Sequence, residues 1–161
     1  MKKINYWLLK SEPTSYNIDD LKKDKKTAWT GIRNYQVRNM LRDQFAVGDL
    51  CLFYHSSCED IGIVGVGKVT KAGYPDPTQF DAKDHHFDPK SGLKAAKNAK
   101  DPNLWYCVDI GFVKKFKTVL TLAEIKLGPK LSGMLVTQTG SRLSVQPVLA
   151  KHFEYILKLN K

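Results

Sequence analysis

Residues 6–9 (Tyr6, Trp7, Leu8, Leu9) are uninterrupted, bulky and apolar, the pattern of a strand buried on both faces. Lys10, Ser11 and Glu12 follow with three hydrogen-bonding side chains. Pro13 has no N–H and disfavours helical backbone at Glu12, so the strand ends there and the chain turns out. A short helix is predicted over 16–21, with Asn17 as its N-cap and Asp19 and Asp20 in the first turn. Lys22, Lys23, Lys25 and Lys26 read as a basic turn closing it. Asn34 caps a second helix over 35–43, with Val37, Met40 and Leu41 at helical spacing. After turn chemistry at Val47-Gly48-Asp49, residues 50–54 and 63–69 read as strands. Gly62, Gly65 and Gly67 punctuate the second; glycine in a strand marks a bulge, a barrel corner or a close backbone approach.

Tyr74-Pro75-Asp76-Pro77 reads as a loop and residues 79–102 as a polar excursion. Residues 105–116 form the longest predicted strand. Tyr106, Val108, Ile110 and Phe112 are expected to face the core, with Trp105, Cys107, Asp109, Gly111 and Val113 opposite. Thr121 and Glu124 are in capping-box register for a helical turn at 121–125. Residues 143–148 suit a strand in which Pro147 requires an edge or end position. Phe153, Ile156 and Leu157 line one face of a C-terminal helix. Strands separated by short helices in a chain of 161 residues suit a mixed α+β fold, a small barrel with helices packed around it.

Composition adds one feature to this picture. The formal net charge is +10, which favours polyanionic partners; charge alone does not separate DNA from RNA or an anionic membrane surface. The lysines are spread in clusters, at 22–26, at Lys94, Lys97 and Lys100, and at Lys114, Lys115 and Lys117, each of which is also compatible with a solvated face. Three cysteines (Cys51, Cys58, Cys107) and no targeting segment fit a reducing compartment, and no apolar run approaches a membrane span. A cytoplasmic, monomeric protein that does not engage membranes is expected.

Several motifs recur in a fixed order: Tyr6-Trp7-Leu8-Leu9-Lys10-Ser11-Glu12-Pro13, then Trp29-Thr30-Gly31-Ile32-Arg33-Asn34, then Gly48-Asp49 running into Phe53-Tyr54-His55-Ser56. Gly62-Ile63-Val64-Gly65, Tyr74-Pro75-Asp76-Pro77, residues 105–109 and Ser141-Arg142-Leu143-Ser144-Val145-Gln146-Pro147-Val148 follow. Together they resemble the EVE domain family over nearly the whole chain. The resemblance implies a PUA-like small β-barrel of about five to six strands surrounded by short helices, one EVE domain over 1–161. It also implies a bacterial-type member, since eukaryotic members carry an N-terminal extension. The implied function is non-catalytic binding of DNA or RNA carrying a modified base, 5-methylcytosine or 5-hydroxymethylcytosine, flipped into a pocket.

A flipped base needs a flat apolar surface to stack on and polar groups at its edge. Trp29, beside Arg33 and Asn34, is a candidate surface, although a lone Trp is more often core. Tyr54, His55 and Ser56 stand at one strand end as Lys10, Ser11 and Glu12 stand at another. The resemblance implies that these ends rim one pocket with Trp29 stacking. Arg142 and Ser144 are candidates for a phosphate or base contact, with pairing of Arg142 to a buried acid such as Glu12 as the alternative. Arg33 and Arg38 are phosphate contacts or structural partners, Tyr74 borders the pocket, and Lys22, Lys23, Lys25 and Lys26 are candidate phosphate contacts. Cys51, His55 and Cys58 are poorly spaced for zinc, and His85-His86 lies downstream without a paired C-x-x-C. No Walker motif, dinucleotide fingerprint or nucleophile elbow is present, so no catalytic residue, metal or cofactor is expected. The competing readings are an enzyme acting on nucleic acid or a nucleotide-like small molecule, and a module binding an acidic protein.

Overall fold

Strand β1 (Tyr6–Ser11) is covered on both faces, with Trp7, Leu8 and Leu9 all buried. It pairs in parallel with β3 (Leu50–His55), in a register that sets Lys10 opposite Tyr54 and Ser11 opposite His55. On its other side it pairs antiparallel with β6 (Val145–Val148). Strands β2 (Lys26–Ala28), β4 (Gly62–Pro75) and β5 (Tyr106–Thr121) complete one sheet in the order β2-β5-β4-β3-β1-β6. The strands at the two ends, β2 and β6, are not paired with each other, so the sheet is open rather than closed. These elements belong to a computed structural model describing residues 3–91, 103–140 and 142–160. Lys94, Lys97, Lys100 and Ser141, and residues 92–102 of the expected 79–102 excursion, lie outside the described residues.

Four short helices are present among the described residues: α1 (Ile18–Asp24), α2 (Tyr35–Asp43), α3 (Leu122–Leu127) and α4 (Ala150–Leu159). Their starts are written locally. Asn17 accepts from the Asp20 N–H while Asp20 accepts from the Asn17 N–H; Thr121 and Glu124 do the same for α3. Asn34 accepts from the Val37 N–H at 3.0 Å. Each such cap is worth about 1 kcal/mol. None of these helices is long and apolar enough to cross a membrane.

Three elements differ from the sequence expectation. Helix α1 continues past residue 21, so Lys22 and Lys23 are helical; Lys25, at φ 69°, ends it and Lys26 opens β2. Lysines in the last turn complement the helix dipole, which is why the run extends the helix instead of breaking it. Strand β4 runs to Pro75, so Tyr74 and Pro75 belong to a strand: Lys68 and Thr70 occupy its exposed positions around buried Val69. In β5 the expected division of faces fails, because Cys107 and Gly111 are buried along with Val108 and Ile110, while Phe112 is only half-buried. That portion of the strand is covered on both sides, which removes the alternation.

The chain divides into two compact units, one comprising Met1–Thr27, Gly48–Lys68 and Gly111–Lys161, the other Ala28–Val47 and Val69–Ile110. The first has a core of Leu8, Leu52, Ile63, Phe116, Phe153 and Ile156 with their neighbours. Within it Asp49 is 1% exposed. It accepts from Trp7 Nε1 at 3.0 Å and from the Asn5 N–H at 3.1 Å, pinning the start of β1. Gly65 of β4 lies where a Cβ would stand 2.4 Å from the Lys114 carbonyl oxygen, beside a register shift at Phe53/Tyr54. The glycine therefore marks both a bulge and a close backbone approach. The second unit buries Val37, Leu41, Val69, Trp105 and Ile110.

Candidate functional site

In the first unit the parallel pairing of β1 and β3 brings two polar strand ends side by side. Lys10 Nζ lies 5.9 Å from the centroid of the Tyr54 ring, at the limit of a cation–π contact. Burial lowers the pKa of half-buried Lys10 and raises that of the Tyr54 phenol, which is buried in the core and keeps its proton at neutral pH. The Lys10 N–H donates to the Ser144 carbonyl at 2.8 Å, tying the 142–144 segment to β1. Ser11 Oγ donates to the Tyr16 carbonyl at 2.6 Å, so its hydrogen is spent and its lone pairs remain. The Ser56 N–H donates to the Ser11 carbonyl, holding the chain just past β3 against the end of β1.

His55 is fixed from the helix side. Its Nε2 accepts from the Ile18 N–H at 3.2 Å, satisfying a free amide of the first turn of α1. The proton of the neutral ring is then on Nδ1. Burial lowers the His55 pKa, with Lys115 acting in the same direction and Asp19 opposing. Side chains alternate along the paired strands, so Ser11 and His55 share one face and offer an acceptor and a donor, while Lys10 and Tyr54 share the other, where Tyr54 is 3% exposed. Glu12 is exposed beyond them.

The second unit organises its predicted residues around Asp76, which is 0% exposed. Its carboxylate accepts from the Gly31 N–H at 2.8 Å, the Thr78 N–H at 2.8 Å, Thr78 Oγ1 at 2.6 Å and Arg33 Nη1 at 3.1 Å. Burial alone would raise its pKa, but the bonds from Thr78, Gly31 and Arg33 outweigh it and hold the carboxyl below its ordinary range. Gly31 sits at φ 85°, and a Cβ there would meet the His86 ring at 2.7 Å. Arg33 also donates to the His86 carbonyl from Nε and Nη2, and its guanidinium lies 5.4 Å from the Trp105 ring centroid. Tyr35 stacks on Trp105 at 4.9 Å while 52% exposed, with the Arg38 guanidinium 4.9 Å from its ring. Gln79, fully buried, donates to the Asp76 and Trp105 carbonyls and accepts from Leu104 and Trp105 N–H groups.

Arg33 is accordingly a structural partner of Asp76, and Arg38 donates to the Leu104 carbonyl at 2.9 Å. Trp29 is 8% exposed, and its N–H donates to the Val108 carbonyl. Asn34 spends its Oδ1 on the α2 cap. The Tyr74 hydroxyl donates to an Asp109 carboxylate oxygen, and burial first, with that bond second, raises its pKa. Lys22, Lys23, Lys25 and Lys26 are exposed on the α1 end and β2. Arg142 is exposed, and no ion pair joins it to Glu12 among the described residues. Sequence reading missed Asp76, Gln79 and Tyr35 as organising groups; the Tyr74-Pro75-Asp76-Pro77 motif contained the first without revealing its partners.

Cys51 is buried, with a thiol pKa raised by burial and by Asp49. Among the described residues the ligand-type side chains that gather are Asp84, His85 and His86, within 4.8 Å of one another. There Asp84 Oδ1 already accepts from the His86 N–H at 2.8 Å.

The family model of the EVE domain matches residues 5–159. The chain belongs to the EVE domain family. Among curated relatives, thymocyte nuclear protein 1 from chicken (Gallus gallus) is 40% identical over 181 residues, covering 99% of this chain and 71% of that protein. A Pseudomonas syringae protein of known structure is 47% identical with a TM-score of 0.85, covering 97% of this EVE domain and 99% of that chain. Human THYN1, solved in complex with 5-methylcytosine-containing DNA, is 37% identical with a TM-score of 0.83, covering 98% of each chain.

Proposed function

We propose that this EVE domain binds nucleic acid and reads a modified base, of the 5-methylcytosine or 5-hydroxymethylcytosine type, flipped from its strand, without catalysing a reaction on it. The observation that carries this reading is the solved human relative bound to 5-methylcytosine DNA, which matches this chain from end to end. The charge of +10 supports the sequence-independent part of the affinity.

The base edge is assigned to the β1 and β3 ends. A cytosine edge offers one amino donor and two acceptors. Ser11 Oγ, with its hydrogen committed to Tyr16, accepts from the amino group and His55 Nδ1–H donates to an acceptor; Lys10 is assigned to the same pocket from the neighbouring position of β1. Tyr54 and Ser56 complete that set, with Glu12 at its exposed margin. Trp29 is assigned the stacking role, with Arg33 and Asn34 next to it in the chain. Phosphates are assigned to Lys22, Lys23, Lys25 and Lys26, with Arg38, Tyr74, Arg142 and Ser144 as rim contacts.

The test is a titration of unmodified, 5-methylated and 5-hydroxymethylated oligonucleotides, as DNA and as RNA, at several salt concentrations. One methyl group in an apolar pocket gives a preference of roughly ten- to two-hundred-fold. Equal affinity for all three bases at every salt concentration refutes base reading and leaves a non-selective polyanion binder. Trp29→Ala, provided it stays folded, should lose most of the preference and keep the salt slope; a full preference retained would return Trp29 to the core. A buried Trp→Ala change costs about 3–5 kcal/mol, so folding is checked first.

A further inference from the structure

Asp84, His85 and His86 follow one another in the second unit, and one ligand-type atom from each lies within 4.8 Å of the other two. Both imidazoles turn Nδ1 toward the same carboxylate oxygen. His86 Nδ1 is 3.2 Å and His85 Nδ1 3.8 Å from Asp84 Oδ1, and the ring centroids are 3.8 Å apart. At 3.8 Å His85 is too distant to be held by a hydrogen bond to that oxygen. Two ligands bonded to one ion at about 2.0–2.1 Å stand roughly 3–4 Å apart, so both spacings to Oδ1 are those of one coordination sphere. The side chains are open to water, at 27% exposure for Asp84, 85% for His85 and 33% for His86, so an ion reaches them directly.

The segment that carries the cluster is tied down on both sides. Arg33 donates to the His86 carbonyl from Nε at 3.0 Å and from Nη2 at 2.6 Å. Just beyond, the Asp88 N–H donates to the Gln79 carbonyl at 3.0 Å, and the Asp88 carboxylate accepts from Trp105 Nε1 at 2.7 Å. The His86 ring itself lies against Gly31, where a Cβ would stand 2.7 Å from Cε1 and from Nε2. The Nε2 edge thus faces the Gly31 backbone and the Nδ1 edge faces Asp84. A metal takes the Nδ1 lone pair with the ring proton on Nε2, and solvent carries that exchange at a ring one-third exposed.

We infer that Asp84, His85 and His86 form a binding site for one divalent transition-metal ion of the zinc type, ligated by the Asp84 carboxylate and the two Nδ1 atoms, with water in the remaining positions. Two imidazoles favour zinc, nickel or copper over magnesium and calcium, which take oxygen donors. Exposed His85 turns to complete the sphere, while His86 and Asp84 are already in place. The ion fixes the His86 ring against Gly31 and so stiffens the turn that Asp76 and Arg33 hold. The site is independent of the nucleic-acid reading, since none of its ligands is assigned to a base or phosphate.

The untagged full chain, stripped with a chelator, is titrated with zinc at pH 7.5 by calorimetry, with magnesium as the comparison. One zinc should bind per chain, raise Tm and shift the His85 and His86 ring resonances, whereas magnesium should do none of these. His85→Ala, at a side chain 85% exposed, leaves the fold intact and should weaken zinc binding about tenfold or more. Asp84→Asn keeps an oxygen for the His86 N–H, removes the charge, and should weaken binding as much. His86→Gln should abolish it. Cys58→Ser removes the half-buried free thiol and should change nothing. No binding at one per chain, equal binding of magnesium, full affinity in His85→Ala, or loss of binding in Cys58→Ser overturns the inference. If His86→Gln fails to fold, His85→Ala and Asp84→Asn decide.

Discussion

Replacing Asp76 by Ala removes the acceptor of four hydrogen bonds at once, from the Gly31 and Thr78 amides, the Thr78 hydroxyl and the Arg33 guanidinium. Breaking a buried ion pair by deleting one partner costs about 3–5 kcal/mol. Arg33 is 22% exposed and retains the His86 carbonyl and Thr78 Oγ1, so water and these partners offset part of the loss. The expected destabilisation is about 3 kcal/mol, which in a chain of this size lowers Tm by roughly 6–12 °C. Urea unfolding followed by circular dichroism measures it, and the slope with denaturant should stay unchanged. The acid limb supplies a second reading. Because the folded carboxyl titrates below the ordinary value of 3.8, its contribution is complete above that pH and is lost as pH falls through the lower folded value. Asp76→Ala should therefore flatten stability below about pH 4 as well as lower it at pH 7. Asp43→Ala, which removes an exposed partner of Arg42, is the control and should leave Tm unmoved. A Tm loss under about 2 °C for Asp76→Ala, with the acid limb unaltered, would refute the reasoning: the Gly31 turn would then be held by packing rather than by the carboxylate.

His55 and His152 both have pKa values lowered by burial, so the unfolded chain takes protons first as pH falls through 6.5. Stability should therefore drop on acidification from pH 7.5 to 5, and His55→Gln should reduce that drop; an unchanged pH profile would remove His55 from the explanation. Gly65→Ala drives a methyl group to 2.4 Å from the Lys114 carbonyl oxygen and 2.9 Å from Ile18 Cδ1, and should cost about 1–3 kcal/mol in urea unfolding, whereas a neutral change would mean that β4 shifts freely. Lys22→Gln with Lys23→Gln should weaken modified and unmodified oligonucleotides alike and reduce the salt slope by roughly one for each phosphate no longer neutralised; an unchanged slope would assign the phosphates to other cations.

What could be read from the chain was local. Asn17, Asn34 and the Thr121/Glu124 pair act within three residues, so the pattern and the bonds coincide. Pro147 demanded an edge because a missing N–H is a local fact, and β6 ends the sheet. Long-range pairing was out of reach. Asp49 read as turn chemistry, yet it is buried and bonded to Trp7, 42 residues away. Arg33 finds Asp76 across 43 positions, a contact that neither residue's neighbours announce. The lysines at 22 and 23 looked like a break because their charge was read without the helix dipole they complement. At the candidate site the residue types at the ends of β1 and β3 were legible. Which hydrogens and lone pairs are already committed, at Ser11 to Tyr16 and at His55 to Ile18, became visible only once the strands were paired.

The edge strand has a consequence for the behaviour of the chain in a crowded solution. The Lys10 N–H bonds to the Ser144 carbonyl, and in the antiparallel register that runs through Leu8 and Gln146 the pairing of Trp7 with Pro147 falls between hydrogen-bonded positions. The Pro147 nitrogen therefore faces outward, at the point where a foreign strand would need a donor. With β6 only four residues long and β2, at the other end, only three, neither rim provides a template for another chain to extend. Replacing Pro147 by a β-branched residue would restore that donor, and the expected result is fibrillar or amorphous self-assembly on concentration, in a protein whose fold is otherwise unaltered.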